Sequence, residues 1–275
     1  MPLLQLFLVA LIQGLTEFLP VSSSGHLILL PGLTGMNDQG QLIDVAVHVG
    51  TLGAVVVYFW SDVKVGLLGL PRLLVGRVDT PGAALALGLI IATIPVILVG
   101  AILHFTGLSD TLRSVTVIGW TMLIFGIVLY WADQTGPQDR TASDWPLKDA
   151  LIMGLWQAIS LIPGTSRSGI TITGARRLGY TREDAARLAM LMSIPTIAAS
   201  GILLGADAAL DADTSAMRDG AIAASLAFVA ALLALTLMMR LLRSISFTPY
   251  VIYRIVLGIA LLIYAYSGSG PQIAG

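Results

Sequence analysis

The chain of 275 residues is 56% hydrophobic and 11% charged, with a formal net charge of −1 and a mean hydropathy of +0.87. A soluble domain carries about 25% charged residues, so this composition excludes a water-soluble globule and indicates an integral membrane protein. The small net charge excludes a nucleic-acid footprint, and a sequence without Cys excludes disulfides and thiolate metal sites.

The N-terminus lacks the basic stretch and small-residue cleavage site of a secretion signal, so residues 3–19 are expected to remain as structure. Residues 3–31 hold the first of two polar hairpins in an otherwise oily chain, Gln13-Gly-Leu-Thr-Glu17-Phe-Leu-Pro20-Val-Ser22-Ser23-Ser24-Gly25-His26. Gln13 and Glu17 are four apart and share a helix face. Pro20 stops that helix, the three serines occupy the turn, and a new half-helix begins near Gly25. Short apolar arms about a Pro and Gly centre predict a re-entrant helix–loop–helix, whose broken backbone must face protein or a water-filled cavity. Candidate spans follow at 42–60, 83–105 and 115–131, each close to the length of about 20 apolar residues that a crossing needs. Trp60 and Trp131 sit at segment ends, as interfacial aromatics do.

The acidic loop 132–149 is the natural boundary between halves. The second hairpin, 150–178, carries Gln157-Ala-Ile-Ser-Leu-Ile-Pro163-Gly164-Thr165-Ser166-Arg167-Ser168-Gly169-Ile-Thr171. It repeats the first in order: a Gln, a Pro, small hydroxyl residues, a Gly and a return to apolar sequence. Thr181-Arg-Glu-Asp184 predicts a capped helix start. The last candidate spans are 187–206, 220–240 and 250–266, the third ending at Tyr266. Pro95 and Pro195 fall mid-span, where a bundle tolerates kinks.

Loop charges orient the chain. Lys64, Arg72, Arg77, Arg140, Lys148, Arg176, Arg177, Arg182, Arg187, Arg240 and Arg243 fall on one side if the spans alternate, and that side is cytoplasmic. The opposite loops hold only Arg113 and Arg218 as cations. The first hairpin then enters from outside and the second from the cytoplasm, each followed by three spans. The expected fold is an all-α membrane domain of six spans and two re-entrant hairpins, built as inverted-topology repeats over 1–131 and 150–266.

Ionisable groups within apolar segments cost roughly 2.5–3.5 kcal/mol each on insertion scales, so they are functional candidates. Opposed hairpins bring two half-helix N-termini together, a setting that favours an anion. Arg167 adds a planar fork suited to phosphate oxygens. Glu17 can hold a hard divalent cation, Mg2+ or Ca2+, and His26 suits proton transfer. Cradle, cation, acid–base group and hydroxyls together point to phosphoryl transfer. The bland alternatives are a structural Glu17–Arg pair and hydroxyls that merely bond back to the backbone. His48 and His104 read as structural, although His48 with Asp44 can border the site. The cluster Arg176–Arg187 reads as the positive-inside signal, Asp207, Asp211 and Asp213 as an ordinary acidic exterior loop, and Met190 and Met192 as lipid-facing or packing residues.

At these two motifs the chain resembles the undecaprenyl-pyrophosphate phosphatases of the bacitracin-resistance type. The resemblance covers essentially the whole chain, including Ile-Ser-Phe-Thr-Pro-Tyr-Val-Ile-Tyr-Arg254 near the end. It implies removal of the terminal phosphate from a C55 isoprenoid pyrophosphate, the carrier of cell-wall precursors, in the bacterial cytoplasmic membrane. It implies catalytic positions at Glu17, His26, Ser23 and Arg167, with Glu17 also a metal ligand. It implies a substrate site at Gln13, Ser22, Ser24, Gly25, Gly164, Thr165, Ser166, Ser168 and Thr171. Gln13 stands where many members have Glu, and Ser24 where some have Thr. Three mechanisms stay open: Ser23 as nucleophile with His26 as base, water activated by His26, or His26 attacking phosphorus. The cavity is expected to open outward, with oligomerisation left open. The competing class is a lipid-phosphate transporter, since inverted repeats with broken helices also build carriers. A second lipid-phosphatase class needs a His after its Ser-Arg, and this chain has none beyond His104. An intramembrane serine protease gives Arg167 and Glu17 no role.

Overall fold

Hydroxyl side chains set the starts of several helices. Thr80 and Ser114 accept from Ala83 N and Val117 N at 3.2 Å each, and Thr181 accepts from Asp184 N at 3.1 Å, as its capping motif predicts. In the computed structural model, which describes residues 1–36, 39–210 and 214–267, these signals open a chain of helices. In order they are α1 (Leu3–Thr16), α2 (Ser23–Thr34), α3 (Gln41–Tyr58), α4 (Trp60–Leu74), α5 (Pro81–Thr106) and α6 (Leu108–Thr111). Then come α7 (Val115–Thr135), α8 (Leu147–Ala158), α9 (Arg167–Arg177), α10 (Arg182–Leu210), α11 (Thr214–Leu241) and α12 (Thr248–Tyr266). No strand forms among the described residues beyond one isolated bridge, Arg140 to Tyr180.

Six helices are long and apolar enough to cross a bilayer: α3, α5, α7, α10, α11 and α12. They coincide with the six segments expected from sequence. The pairs α1–α2 and α8–α9 are the two hairpins. Their arms, 14, 12, 12 and 11 residues long, reach only about 16–21 Å at the α-helical rise, less than the hydrocarbon thickness.

Each hairpin's first arm packs against a span of the opposite half, α1 on α11 and α8 on α5. Glycine makes this possible. A Cβ on Gly14 would lie 2.5 Å from Ala230 Cβ, and one on Gly154 would lie 2.5 Å from the Ala92 carbonyl oxygen. Between lipid-embedded helices, where water exclusion contributes little, such close backbone approach is a main source of attraction. The core runs between the halves through Phe18, Val55, Ala92, Met153, Ile172, Leu188, Met190, Met192 and Leu235. Met190 and Met192 are therefore packing residues, one of the two readings expected.

Two features depart from the sequence reading. Residues 60–74 form a helix of their own, α4, with Leu67, Leu68 and Leu74 exposed by 53–88%. The basic cluster after the second hairpin is more than a topology signal. Arg176 is fully buried, donating to Asp133 Oδ1 (3.3 Å) and to the carbonyls of Asp133 and Gly136 (3.0 Å each) and Pro137 (2.9 Å). Arg182 joins the same carboxylate at 2.7 Å, and Arg187 pairs with Asp62 at the start of α4. These bonds tie the inter-half loop, the second hairpin and α10 into one end of the bundle.

Candidate active site

The two turns are built alike. Ser22 and Ser166 have φ of 73° and 71°, the only non-glycine residues among those described in the left-handed region. That conformation costs on the order of 1 kcal/mol or more for a residue with a Cβ and persists only where its surroundings enforce it. Here each serine is the N-cap of the following arm. Ser22 Oγ accepts from Gly25 N at 3.3 Å and Ser166 Oγ from Gly169 N at 3.1 Å. Each also meets the serine two residues on, Ser24 at 3.4 Å and Ser168 at 3.1 Å. Gly164 has φ of 85°, and a Cβ there would lie 2.2 Å from Thr121 Oγ1. The turns touch directly, because Ser168 Oγ donates to the Leu19 carbonyl at 2.9 Å.

Glu17, at the end of α1 and 5% exposed, is the hub. Its Oε2 accepts from Gln13 Nε2 at 2.8 Å and from Ser23 Oγ at 2.6 Å. Its Oε1 is paired with the guanidinium of Arg167, which opens α9 in the other hairpin. His48 Nε2, from α3, lies 3.9 Å from Oε2. Four residues spread from position 13 to position 167 thus converge on one carboxylate.

His26 faces elsewhere. Its Nδ1 lies 2.6 Å from the Ser22 carbonyl and its Nε2 2.5 Å from the Tyr253 hydroxyl, with the rings stacked at 5.7 Å. A carbonyl only accepts, so Nδ1 carries the proton and, in the neutral ring, Nε2 accepts from Tyr253. Neither nitrogen is engaged with Ser23.

The remaining expected residues divide. Ser24 is exposed at the start of α2. Thr165 is buried with no partner for its hydroxyl among the described residues. Thr171 is fully buried and bonds back to the Arg167 carbonyl at 2.8 Å, the helix-internal role of a membrane threonine. Gln157, the counterpart of Gln13, donates to the Ala92 carbonyl at 3.3 Å, and Leu161 stands where the second hairpin would need a carboxylate. His104 lies beside Phe105 at the exposed end of α5, away from the hub. Asp211 and Asp213, and the side chain of Asp207, lie outside the described residues.

Sequence reasoning gave Tyr253 and Arg254 no role, while His48, expected as structural but able to border the site, does lie beside Glu17. Arg254 is fully buried under the turns and donates to the carbonyls of Pro20 (3.4 Å) and Gly164 (3.1 Å). The available signal for it was a cation inside a predicted span.

Among the described residues no group of three or more His, Cys, Asp or Glu side chains could hold a metal. The Gln13 Oε1 atom, however, is buried without a partner beside Glu17. With Glu17 and the Ser23 hydroxyl it makes a set of hard oxygen donors that fits Mg2+ or Ca2+ when substrate oxygens complete the shell.

A family model described as bacitracin resistance protein BacA matches residues 6–260. A protein of Ruegeria pomeroyi named undecaprenyl-diphosphatase is 75% identical over 97% of this chain and 100% of its own length. Proteins with the same name from Maricaulis maris and Erythrobacter litoralis are 47% and 40% identical, each over 96% of this chain and 99% and 100% of their own. Both hairpins and all six candidate spans lie wholly or mostly within the matched region, and the chain belongs to the bacitracin resistance protein BacA family.

Proposed function

We propose that the chain is an integral-membrane phosphatase that hydrolyses undecaprenyl diphosphate to undecaprenyl phosphate and inorganic phosphate. This reaction recycles the cell-wall lipid carrier and underlies bacitracin resistance. The observation that carries the reading is the Glu17 carboxylate holding the Ser23 hydroxyl at 2.6 Å while paired with Arg167. A carboxylate that accepts the hydroxyl's hydrogen bond is placed to take its proton.

In the first step Ser23 Oγ attacks the terminal phosphorus and its proton passes to Glu17. The Oγ–P bond forms as the anhydride P–O bond breaks, and undecaprenyl phosphate leaves. Protonation of Glu17 removes the negative charge that holds Arg167, freeing the guanidinium fork for the phosphate oxygens. In the second step water attacks the phosphoseryl phosphorus and gives up a proton to His26, the Oγ–P bond breaks, and Ser23 Oγ takes back the proton held by Glu17, leaving inorganic phosphate. His26, held as the Nδ1–H tautomer, is the second proton-transfer group and serves this water. Ser24 contacts phosphate oxygens, and the N–H groups beginning α2 and α9 complete the cradle, with a buried Thr165 hydroxyl that has no partner among the described residues. Glu17 and Gln13 would hold a divalent cation, which would neutralise charge on the diphosphate.

The two hairpins are re-entrant, the halves are inverted repeats, and the site opens to the exterior of the cytoplasmic membrane. The matched turns and the crossed packing of α1 on α11 and α8 on α5 support the repeat. The transporter reading gains no specific observation, since a carrier has no need of a hydroxyl held on a carboxylate. Purified protein in detergent, given undecaprenyl diphosphate, is expected to release inorganic phosphate and to carry phosphate on Ser23 in an acid-quenched sample. Movement of the lipid across vesicles without phosphate release would overturn the assignment.

A further inference from the structure

The mechanism above leaves unused a buried cation that lies against both turns. Arg254, in the first half of α12, has no exposed surface. Every hydrogen bond it donates to a described residue ends on a backbone carbonyl. Nη1 reaches Pro20 O at 3.4 Å, Nη2 reaches Gly164 O at 3.1 Å and Thr121 O at 3.4 Å, and Nε reaches Met122 O at 3.3 Å. Pro20 lies in the turn of the first hairpin, Gly164 in that of the second, and Thr121 and Met122 in α7. A single planar fork therefore spans three separate parts of the site.

Charge adds to geometry. The other fully buried arginine among the described residues, Arg176 at one end of the bundle, has the Asp133 carboxylate. Arg167 has Glu17. Among the described residues Arg254 is held by carbonyl dipoles alone, and an ionised group in an apolar interior is costly unless it is compensated. Because Glu17 and Arg167 cancel, Arg254 leaves the joined turns with a net positive charge. Small residues preserve its place: a Cβ on Gly169 would lie 2.8 Å from Nη1, and one on Gly126 would lie 3.3 Å from Arg254 Cβ.

We propose that Arg254 is a positioning residue of the phosphatase site, fixing the two hairpin turns against each other and supplying the standing positive charge that a diphosphate neutralises. The proposal rests on the phosphatase reading for its ligand. It separates two contributions. The charge draws the dianionic head group and belongs to ground-state binding. The fork sets the distance between Ser23 on one turn and Arg167 on the other and belongs to turnover.

The test uses full-length protein in detergent, with inorganic pyrophosphate binding by calorimetry alongside kcat and KM on the lipid substrate. Elution profile and thermal midpoint report folding. Arg254→Gln is expected to weaken pyrophosphate binding and raise KM by roughly tenfold or more, since the standing positive charge beneath the turns is lost. Arg254→Lys keeps the charge without the fork, so binding should stay within about threefold while kcat falls by roughly tenfold. Gly169→Ala leaves Arg254 in place and displaces Nη1, so kcat should fall with binding little changed. Folded Arg254→Gln protein with binding and kcat within twofold of wild type would overturn the proposal. If neither Arg254 variant folds, a folded and fully active Gly169→Ala would reduce Arg254 to a structural tie and overturn it equally. Failure of the wild-type chain to bind or hydrolyse any diphosphate would instead overturn the phosphatase reading.

Discussion

Arg167 and Glu17 restrain each other at rest, and the proposed chemistry needs that pair to open. Arg167→Ala is expected to abolish turnover in protein that still folds, because loss of a transition-state cation in phosphoryl-transfer enzymes lowers rates by roughly 10³–10⁵. Turnover by the purified variant within tenfold of wild type would remove Arg167 from the chemistry. Tyr253 makes a finer case. Tyr253→Phe keeps the ring stacked on His26 but deletes the hydroxyl held at 2.5 Å from Nε2. The imidazole then loses one of its two anchors, and kcat should fall by about tenfold with KM unchanged, less than the roughly 10²–10⁴ that losing an acid–base group outright costs. An unchanged kcat would show that Ser22 alone orients His26. Glu17, Ser23 and Arg167 were legible in the sequence because each hairpin advertises its polar residues against an apolar background. Tyr253 and Arg254 were given no role, because they reach the site from a span whose local pattern says only that they are buried, and His48 was legible only as a residue that can border the site. A lone His or Arg in a span has a functional reading only once its spatial neighbours are known.

At the scale of elements, the decisive local event is the left-handed serine that opens each hairpin's second arm. A residue with a Cβ at that φ is held there by its cap bond and by contact with the facing turn. Ser166→Ala keeps the strained backbone while removing the oxygen that accepts from Gly169 N at 3.1 Å. The loss of an N-cap costs about 0.5–2 kcal/mol, so the thermal midpoint of the detergent-solubilised protein should drop and activity with it, as α9 carries Arg167. A variant with unchanged midpoint and activity would show that the turn is set by packing alone. The sequence disclosed these turns as Pro-to-Gly breaks and disclosed all six candidate spans to within a few residues. It did not disclose α4. That segment mixes Asp62, Lys64, Pro71 and Arg72 with its leucines, so it falls below the hydropathy of a span and reads as a charged loop. Only the amphipathic arrangement of those residues, with leucines exposed along one side, makes it a helix suited to a membrane surface.

The whole molecule has two unlike ends. At one, the Met1 ammonium pairs with Asp219 at 2.5 Å, and Trp120 Nε1 donates to the Tyr266 hydroxyl at 3.3 Å. At the other, Asp62 meets Arg187, and Arg243 meets Glu183 at 3.5 Å. Of the 15 Lys and Arg in the chain, Arg113 and Arg218 belong to the first end, Arg167 and Arg254 lie between, and the rest belong to the second. By the positive-inside rule that bias is the ground for the proposed orientation, with the basic end in the cytoplasm and the first hairpin toward the exterior. The absence of Cys from the sequence makes the orientation directly testable. Ser22 and Thr165 are 2% and 0% exposed and would report poorly, so the probes belong at open positions. Thr111→Cys lies beyond α5 at the acidic end, Val78→Cys lies in the loop before α5 and is 49% exposed, and Ser24→Cys sits at the mouth of the first turn. In intact cells a membrane-impermeant maleimide is expected to label Thr111→Cys and Ser24→Cys, with the second slowed by added pyrophosphate. Val78→Cys should react only after the cells are broken. Labelling of Val78→Cys in intact cells with Thr111→Cys silent would invert the orientation, and a Ser24→Cys that reacts only from the cytoplasm would move the mouth of the site to the other face.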